Sequence, residues 1–536
     1  MKKTLVFMFT LIAMVSLVLV GCSSDAGGDD KSGGTDGGDS DAQDTLIYGR
    51  GADATRLDPA TVTDGESLKV TQQVMETLIK FKPGTTELEP GLATDWEQKD
   101  DGKTYVFELR EGVKFHDGTD FNADAVVYNF ERWQNGSDED NFAYYPSMFG
   151  GFGDESVIES VEAVDEYTVE FHLRDSFAPF LKNLAMTPFA IASPEALEEG
   201  ADEFEKHPVG TGPFEFAEWD KDNKIVLTKN EDYWDEGKPK LERVIFRVID
   251  DNSARLNALK SGEIDLMDGT NPSDVESIEE DDDLEIYNRP PLSMAYFGFN
   301  VEEEPFDNKD VRVALNHAVD KESLINAFYA GQGEPAKNPM PPTVDGYNDE
   351  IEAYEYDPEK AKELLADAGY PDGFEMDLWT MSNPRPYLPE PGKIAENIQS
   401  TFGEVGVDVN IQTYEWSTYI EKVTDGEAPA FLMGWTGDNG DADNFIYTLL
   451  DEDAIGSNNM SRYANPDVHE LLKDAQTEPD DEVRMELYKK AQEIIHEEAP
   501  WIPIIYSEEP LAGTANLQDY VPNPTGSEPF DEVSFK

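Results

Sequence analysis

Apolar residues recur at every second position at Tyr105, Phe107 and Leu109 and again at Val169, Phe171 and Leu173, which predicts two half-buried strands. The run 244–249 is denser in β-branched residues and predicts a more deeply buried strand. In the second half the period changes to that of a helix. Val311, Ala314, Leu315 and Ala318 share one face, and a second helix runs from Asp357 as N-cap through Pro358 in its first turn to Gly369 as its stop. Ala361, Leu364, Leu365 and Ala368 form its apolar stripe. Val483, Leu487, Ala491 and Ile494 mark a third helix that ends by Pro500. No internal repeat and no strict strand–helix unit appears, so the pattern predicts a mixed α/β or α+β chain with core enough for two lobes.

The chain has 536 residues, enough for more than one domain, and 39% of them are hydrophobic. Its 114 acidic residues against 41 basic ones give a net charge of −73. Such a surface repels phosphate backbones, so nucleic acid is excluded as a partner. Self-repulsion on this scale destabilises a compact state unless salt screens it, which points to a salt-loving source.

Met1–Lys3 supply a positive start, and Leu5–Val20 form an apolar run short for a membrane span. The run ends at Leu19-Val20-Gly21-Cys22, and Cys22 is the one cysteine of the chain, which excludes an internal disulfide. The segment therefore predicts a signal peptide over 1–21 and lipidation of Cys22, whose acyl chains would hold the protein on the membrane at about 0.8 kcal/mol per buried methylene. Residues 22–44, rich in Gly, Ser and Asp, cannot fold and predict an acidic tether with a reach of roughly 25 Å.

Catalytic motifs are missing. His496-Glu497 has Pro500 where a zincin helix needs its second histidine, and no nucleophile elbow or Walker loop is present. Asp441, Asp443 and Glu452 match three calcium-loop positions, but Phe445 and Ile446 occupy the fifth and sixth. No enzyme activity, cofactor or metal is expected.

Several segments carry a resemblance. Leu92-Ala-Thr-Asp-Trp96, the stretch from Asp101 to Arg110, Val113-Lys-Phe-His-Asp-Gly118, Gly210-Thr-Gly-Pro-Phe214 and Val311-Arg-Val-Ala-Leu315 resemble the family 5 extracellular solute-binding proteins of ABC transporters. The stretch from Trp379 to Tyr387, Thr413-Tyr-Glu-Trp416 and Gly434-Trp-Thr-Gly-Asp-Asn-Gly-Asp441 are similar to its dipeptide-binding members. The resemblance implies a type II periplasmic-binding-protein-like fold. Lobe I would comprise 45–290 and 503–536 with a subdomain inserted at about 84–206, lobe II would comprise 291–502, and hinges would lie near 290–297 and 501–507.

It also implies a site. Arg385 would grip a peptide carboxylate with parallel hydrogen bonds, and Asp438, an acceptor-only group, would hold the ammonium. Trp435, Thr436 and Gly437 would supply wall and backbone contacts, with Gly437 permitting close approach. Pro386 and Tyr387 would line the carboxylate end, and Thr63 would reach across from the other lobe. Without the resemblance, Arg385 reads equally as a surface ion pair, Asp438 as turn chemistry, and Trp379 and Trp416 as core. The implied activity is capture of dipeptides by a monomeric receptor on the outer face of the membrane and delivery to an ABC permease. Longer peptides, a nickel chelate, haem, another small zwitterion, or peptide sensing are the alternatives. The charge reading makes one prediction independent of the ligand: unfolding free energy should rise with added KCl up to about 1 M, where the Debye length is about 3 Å. A denaturant series showing no gain over low-salt buffer would count against a salt-adapted surface.

Overall fold

Two long strands organise the computed structural model, which describes residues 44–137 and 142–536. The signal peptide, Cys22 and the tether up to residue 43 lie outside the described residues. The main sheet comprises β1 (Thr45–Arg50), β2 (Phe214–Asp220), β3 (Lys224–Lys229), β4 (Arg243–Val248), β5 (Leu266–Met267), β6 (Leu284–Phe299), β7 (Phe374–Met381), β8 (Val407–Tyr414), β9 (Ala430–Thr436) and β10 (Trp501–Thr514). Their order across the sheet is β8-β7-β9-β6-β10-β5-β1-β4-β3-β2, with Glu334–Pro335 also pairing on β10. β6 and β10 run antiparallel along their whole length and so join the two halves of the sheet.

Their ladder is interrupted twice, once between Ala295 and Tyr296, where Ile504 is the extra residue, and more widely after Arg289. Arg289 faces Glu509 and Ser293 faces Ser507, so Pro290, Pro291 and Leu292 stand opposite a single residue, Glu508. Proline has no N–H to give to a ladder, and two in succession suit such an irregularity. Arg289 is buried at this point and ion-paired with Glu509 and Glu528.

The apolar core is divided accordingly. One cluster draws on residues from Leu292 to Tyr506, a second on residues from Ala60 to Ile191, and a third joins early residues such as Leu46 to Leu511 and Phe535 near the end of the chain. The second cluster covers a four-stranded antiparallel sheet in which Thr104–Leu109 and Thr168–Leu173, both anticipated from their alternation, are neighbours. The motif containing His116 is structural there. Its backbone N–H donates to Gly210 O at 2.9 Å, its Nε2–H donates to Gly212 O at 2.9 Å, and burial lowers its pKa to about 4.

The helix Lys309–Asn316 buries Val311, Ala314 and Leu315, and Ala318 is buried just beyond its end. In the helix Pro358–Asp367, Asp357 accepts from the Lys360 N–H at 2.9 Å, Ala361 and Leu365 are buried, Leu364 and Ala368 are half-buried, and Gly369 turns the chain with φ +101°. Two expectations need correction. β4 buries Val244 and Phe246 but only half-buries Ile245 and Val248, so one of its faces is partly open. In the helix Asp481–Glu498 the buried face is Arg484, Tyr488, Ala491, Gln492 and Ile495, whereas Val483 is 48% exposed.

That face is polar because each polar group is satisfied. Arg484 donates to both carboxylate oxygens of Asp441 at 2.8 and 2.6 Å and to Ala475 O at 3.1 Å. Burial alone would raise the Asp441 carboxyl, but Arg484 holds it below the ordinary range. Among the described residues no helix is long and apolar enough to cross a membrane. Replacing one partner of a buried ion pair strands the other, so Arg484→Leu should cost about 3–5 kcal/mol. Urea unfolding compared with wild type measures it, and a cost below about 1 kcal/mol, that of an exposed pair, would contradict the assignment.

Candidate functional site

Three loops leave the same edge of the sheet. β7 pairs in parallel with both β8 and β9, so the segments that follow them emerge together at the carboxyl ends of the strands, the usual position for a ligand in an open α/β sheet. After β7 comes the loop carrying Arg385, after β8 comes Trp416, and β9 leads directly into Gly437 and Asp438.

The first loop is a tight reversal. The Arg385 and Leu388 backbones exchange two hydrogen bonds of 2.9 Å, which puts Pro386 and Tyr387 at the tip. The Tyr387 ring packs against Gly434, where an added Cβ would lie 2.3 Å from Cδ2, and its carbonyl accepts from the Tyr329 hydroxyl at 2.7 Å. Arg385 is half-buried, with its guanidinium 3.5 Å from the centre of the Trp416 ring. Its buried Nε has no hydrogen-bond partner, and among the described residues no carboxylate forms an ion pair with it. Trp379 is buried in the core, whereas half-buried Trp416 serves as the platform for this arginine.

The Asp438 loop is organised by Asn444, which composition and spacing do not single out. Its Oδ1 accepts from Trp435 Nε1 at 3.1 Å and from the Asp438 N–H at 3.0 Å, while its Nδ2 donates to Asp438 Oδ2 at 3.0 Å. Tyr144, from the other side of the cleft, donates its hydroxyl to Asp438 Oδ1 at 3.3 Å. Burial pushes the Asp438 carboxyl above its ordinary pKa, and the bonds from Asn444 and Tyr144 offset this only in part. No lysine or arginine pairs with it among the described residues.

Thr63, Trp435 and Asp438 line one cleft of about 770 Å³ together with Tyr144, Asp443 and Asn444. Arg385, Pro386, Tyr387, Thr436 and Gly437 are not among its lining residues. Thr436 is exposed, with its hydroxyl 2.9 Å from that of Ser293. Gly437 is glycine for a different reason from the expected close approach of a ligand. A Cβ there would meet Phe445 at 2.6 Å and Leu292 at 3.0 Å, and its N–H is already given to Leu292 O.

The two walls of the cleft touch. Asn439 Nδ2 donates to Asn183 Oδ1 at 2.6 Å, and the Ala178 N–H donates to Gln476 O at 2.8 Å. Gly440 has φ +67°, and a Cβ there would lie 2.3 Å from Thr86 Cγ2. Tyr144, Asn183, Asn444 and Gln476 were therefore missed from the sequence. Each acts through a partner far away in the chain, except Asn444, whose only local signal is the Asp441-Ala-Asp-Asn444 turn.

Comparison with known proteins follows the same lines. Haem-binding protein A of Haemophilus influenzae is 39% identical over 98% of this chain and 98% of its own. The dipeptide-binding protein of Escherichia coli K12 is 39% identical over 92% of this chain and 95% of its own. The crystal structure of a dipeptide-binding protein from Pseudoalteromonas sp. SM9913, in complex with Met-Leu, superposes with a TM-score of 0.77 at 32% identity, covering 92% of this chain and 100% of that one. Residues 87–457 match the model of the bacterial extracellular solute-binding proteins, family 5. The chain therefore belongs to family 5 of the bacterial extracellular solute-binding proteins, with that family's two-lobed α/β fold.

Proposed function

We propose that this chain is a lipid-anchored receptor, not an enzyme, that captures dipeptides by their two charged ends on the outer face of the membrane and hands them to an ABC permease. The observation that carries the reading is a pair of missing partners. Among the described residues of this highly acidic protein, Arg385 lies half-buried with no acid paired to it, while Asp438 is desolvated with no base paired to it. A dipeptide zwitterion supplies both partners at once. The relative named for haem shares the fold, but opposite unpaired charges on loops from neighbouring parallel strands favour a zwitterion.

In this reading the lobes divide at 290 and 503, and the chain crosses between them at β6 and β10. The interrupted ladder around Pro290–Pro291 supports that crossing as the hinge, because a bulge bends without breaking its neighbours' bonds. Peptide held by Arg385 and Asp438 gains contacts from Thr63 and Tyr144 and shifts the population toward closure. Lipidated Cys22 and the 22–44 tether would keep a monomeric receptor close to its permease.

Arg385→Ala should weaken Ala-Ala binding by about 2–5 kcal/mol, since it strands a ligand carboxylate. N-acetylation of the peptide should weaken binding by a similar amount. Calorimetry measures both, and an unchanged dissociation constant for either would remove the site. A second outcome concerns pH. The Asp438 pKa is raised above its ordinary value, so on acidification this carboxylate is neutralised before the peptide's own carboxyl at about 3.3–3.7. Affinity should therefore begin to fall before the peptide carboxyl protonates, and Asp438→Asn should remove that part of the profile along with most of the affinity. A titration flat until the peptide carboxyl protonates would contradict this.

A further inference from the structure

Binding a dipeptide by its ends leaves a second carboxylate in the cleft unused. Asp443 lines the cleft five positions after Asp438. Among the described residues its carboxylate accepts from two neutral donors at the long end of the range, the Tyr488 hydroxyl at 3.4 Å and the Gln476 amide at 3.3 Å. The Arg484 guanidinium is held bidentately by Asp441, and among the described residues no lysine or arginine forms an ion pair with Asp443.

Its position relative to Asp438 is fixed. Asn444 is bonded through its side chain to Asp438 and follows Asp443 by one peptide unit, about 3.8 Å between Cα atoms. Val157 and Phe177, both half-buried, line the same cleft and offer apolar surface. A lysine side chain matches this arrangement, since its four-carbon stem packs on apolar surface while its ammonium needs acceptors.

We propose that Asp443 is a specificity residue that receives the side-chain cation of a basic residue at the peptide N-terminus, so that the receptor prefers Lys-X and Arg-X dipeptides. The proposal rests on the dipeptide reading above and adds the class of side chain that the cleft selects. Burial, with Asp441 alongside, pushes the Asp443 carboxyl up to about 7. The groups that face it are Asp441 on its own loop, Arg484 and Tyr488 from the helix Asp481–Glu498, Gln476 from the helix Pro466–Thr477, and Tyr447 from the helix Ile446–Leu450. An arriving cation favours the ionised form, so the preference strengthens as pH rises through neutrality.

The test is calorimetry with Lys-Ala, norleucyl-Ala and Ala-Ala on wild type and on Asp443→Asn, at about pH 6 and about pH 8. Norleucine keeps the stem and removes the charge. Wild type should bind Lys-Ala about tenfold more tightly than norleucyl-Ala at the higher pH, the range of one charge-assisted hydrogen bond, and less so at the lower. The ratio should fall toward one in Asp443→Asn. A ratio near one in wild type at both pH values, or a ratio kept in the variant, overturns the Asp443 assignment while Ala-Ala binding upholds the dipeptide reading. Failure of all three peptides to bind wild type overturns both. Asparagine removes the charge that burial disfavours, and if the variant nevertheless fails to fold, the wild-type ratio and its pH dependence decide alone.

Discussion

A carboxylate withdrawn from water with no cation beside it is an unfavourable arrangement, and much of the cleft is built to tolerate one. Asp438 keeps its place because Asn444 holds it from one side and Tyr144 from the other, yet these neutral donors do not cancel the cost of burial. Asn444 also fixes the Trp435 indole and the Asp438 backbone, so one amide sets the shape of the wall and the direction of the charge. Energy held in this way is recovered only by a ligand that brings a positive group. Tyr144 comes from the opposite wall, so the same carboxylate also ties the two walls together.

The exterior and the cleft use charge differently. Most ion pairs on the surface join exposed side chains, such as Lys103 with Asp175 at 3.0 Å or Lys362 with Glu359 at 2.7 Å, and such pairs contribute about 0–1 kcal/mol each. The buried pair of Arg484 with Asp441, Asp438 in the cleft and Arg385 on its neighbouring loop are set apart from that background, the last two without an ion-pair partner among the described residues. A net charge of −73 repels free anions, but a zwitterion has no net charge to repel. The acidity of the surface is thus compatible with a ligand that carries a carboxylate.

Local rules made part of the fold legible. Asp357, Pro358 and Gly369 delimit a helix because capping, a fixed φ and a left-handed stop are properties of a few adjacent residues. Alternation located the strands at Thr104–Leu109 and Thr168–Leu173 for the same reason. The helix Asp481–Glu498 was legible in extent but not in orientation, since its buried side carries Arg484, Tyr488 and Gln492, polar groups whose burial depends on partners elsewhere. The site divides similarly. Arg385 and Asp438 stand in motifs that resemblance could point to, whereas the roles of Asn444, Tyr144 and Asp443 arise from neighbours brought together by the sheet. Asp443 stood out in the sequence only through a calcium-loop pattern that failed.

The meeting of Gly440 with Thr86 acts as a mechanical end-stop between the two walls. A single added carbon at Gly440 would lie 2.3 Å from Thr86 Cγ2, so the clearance between these walls is smaller than one methyl group. Surfaces fitted this closely cannot be partly seated: a wedge of atomic size holds them apart, and without one they register fully. The outside of the molecule thus presents a discrete shape at this contact rather than a graded one.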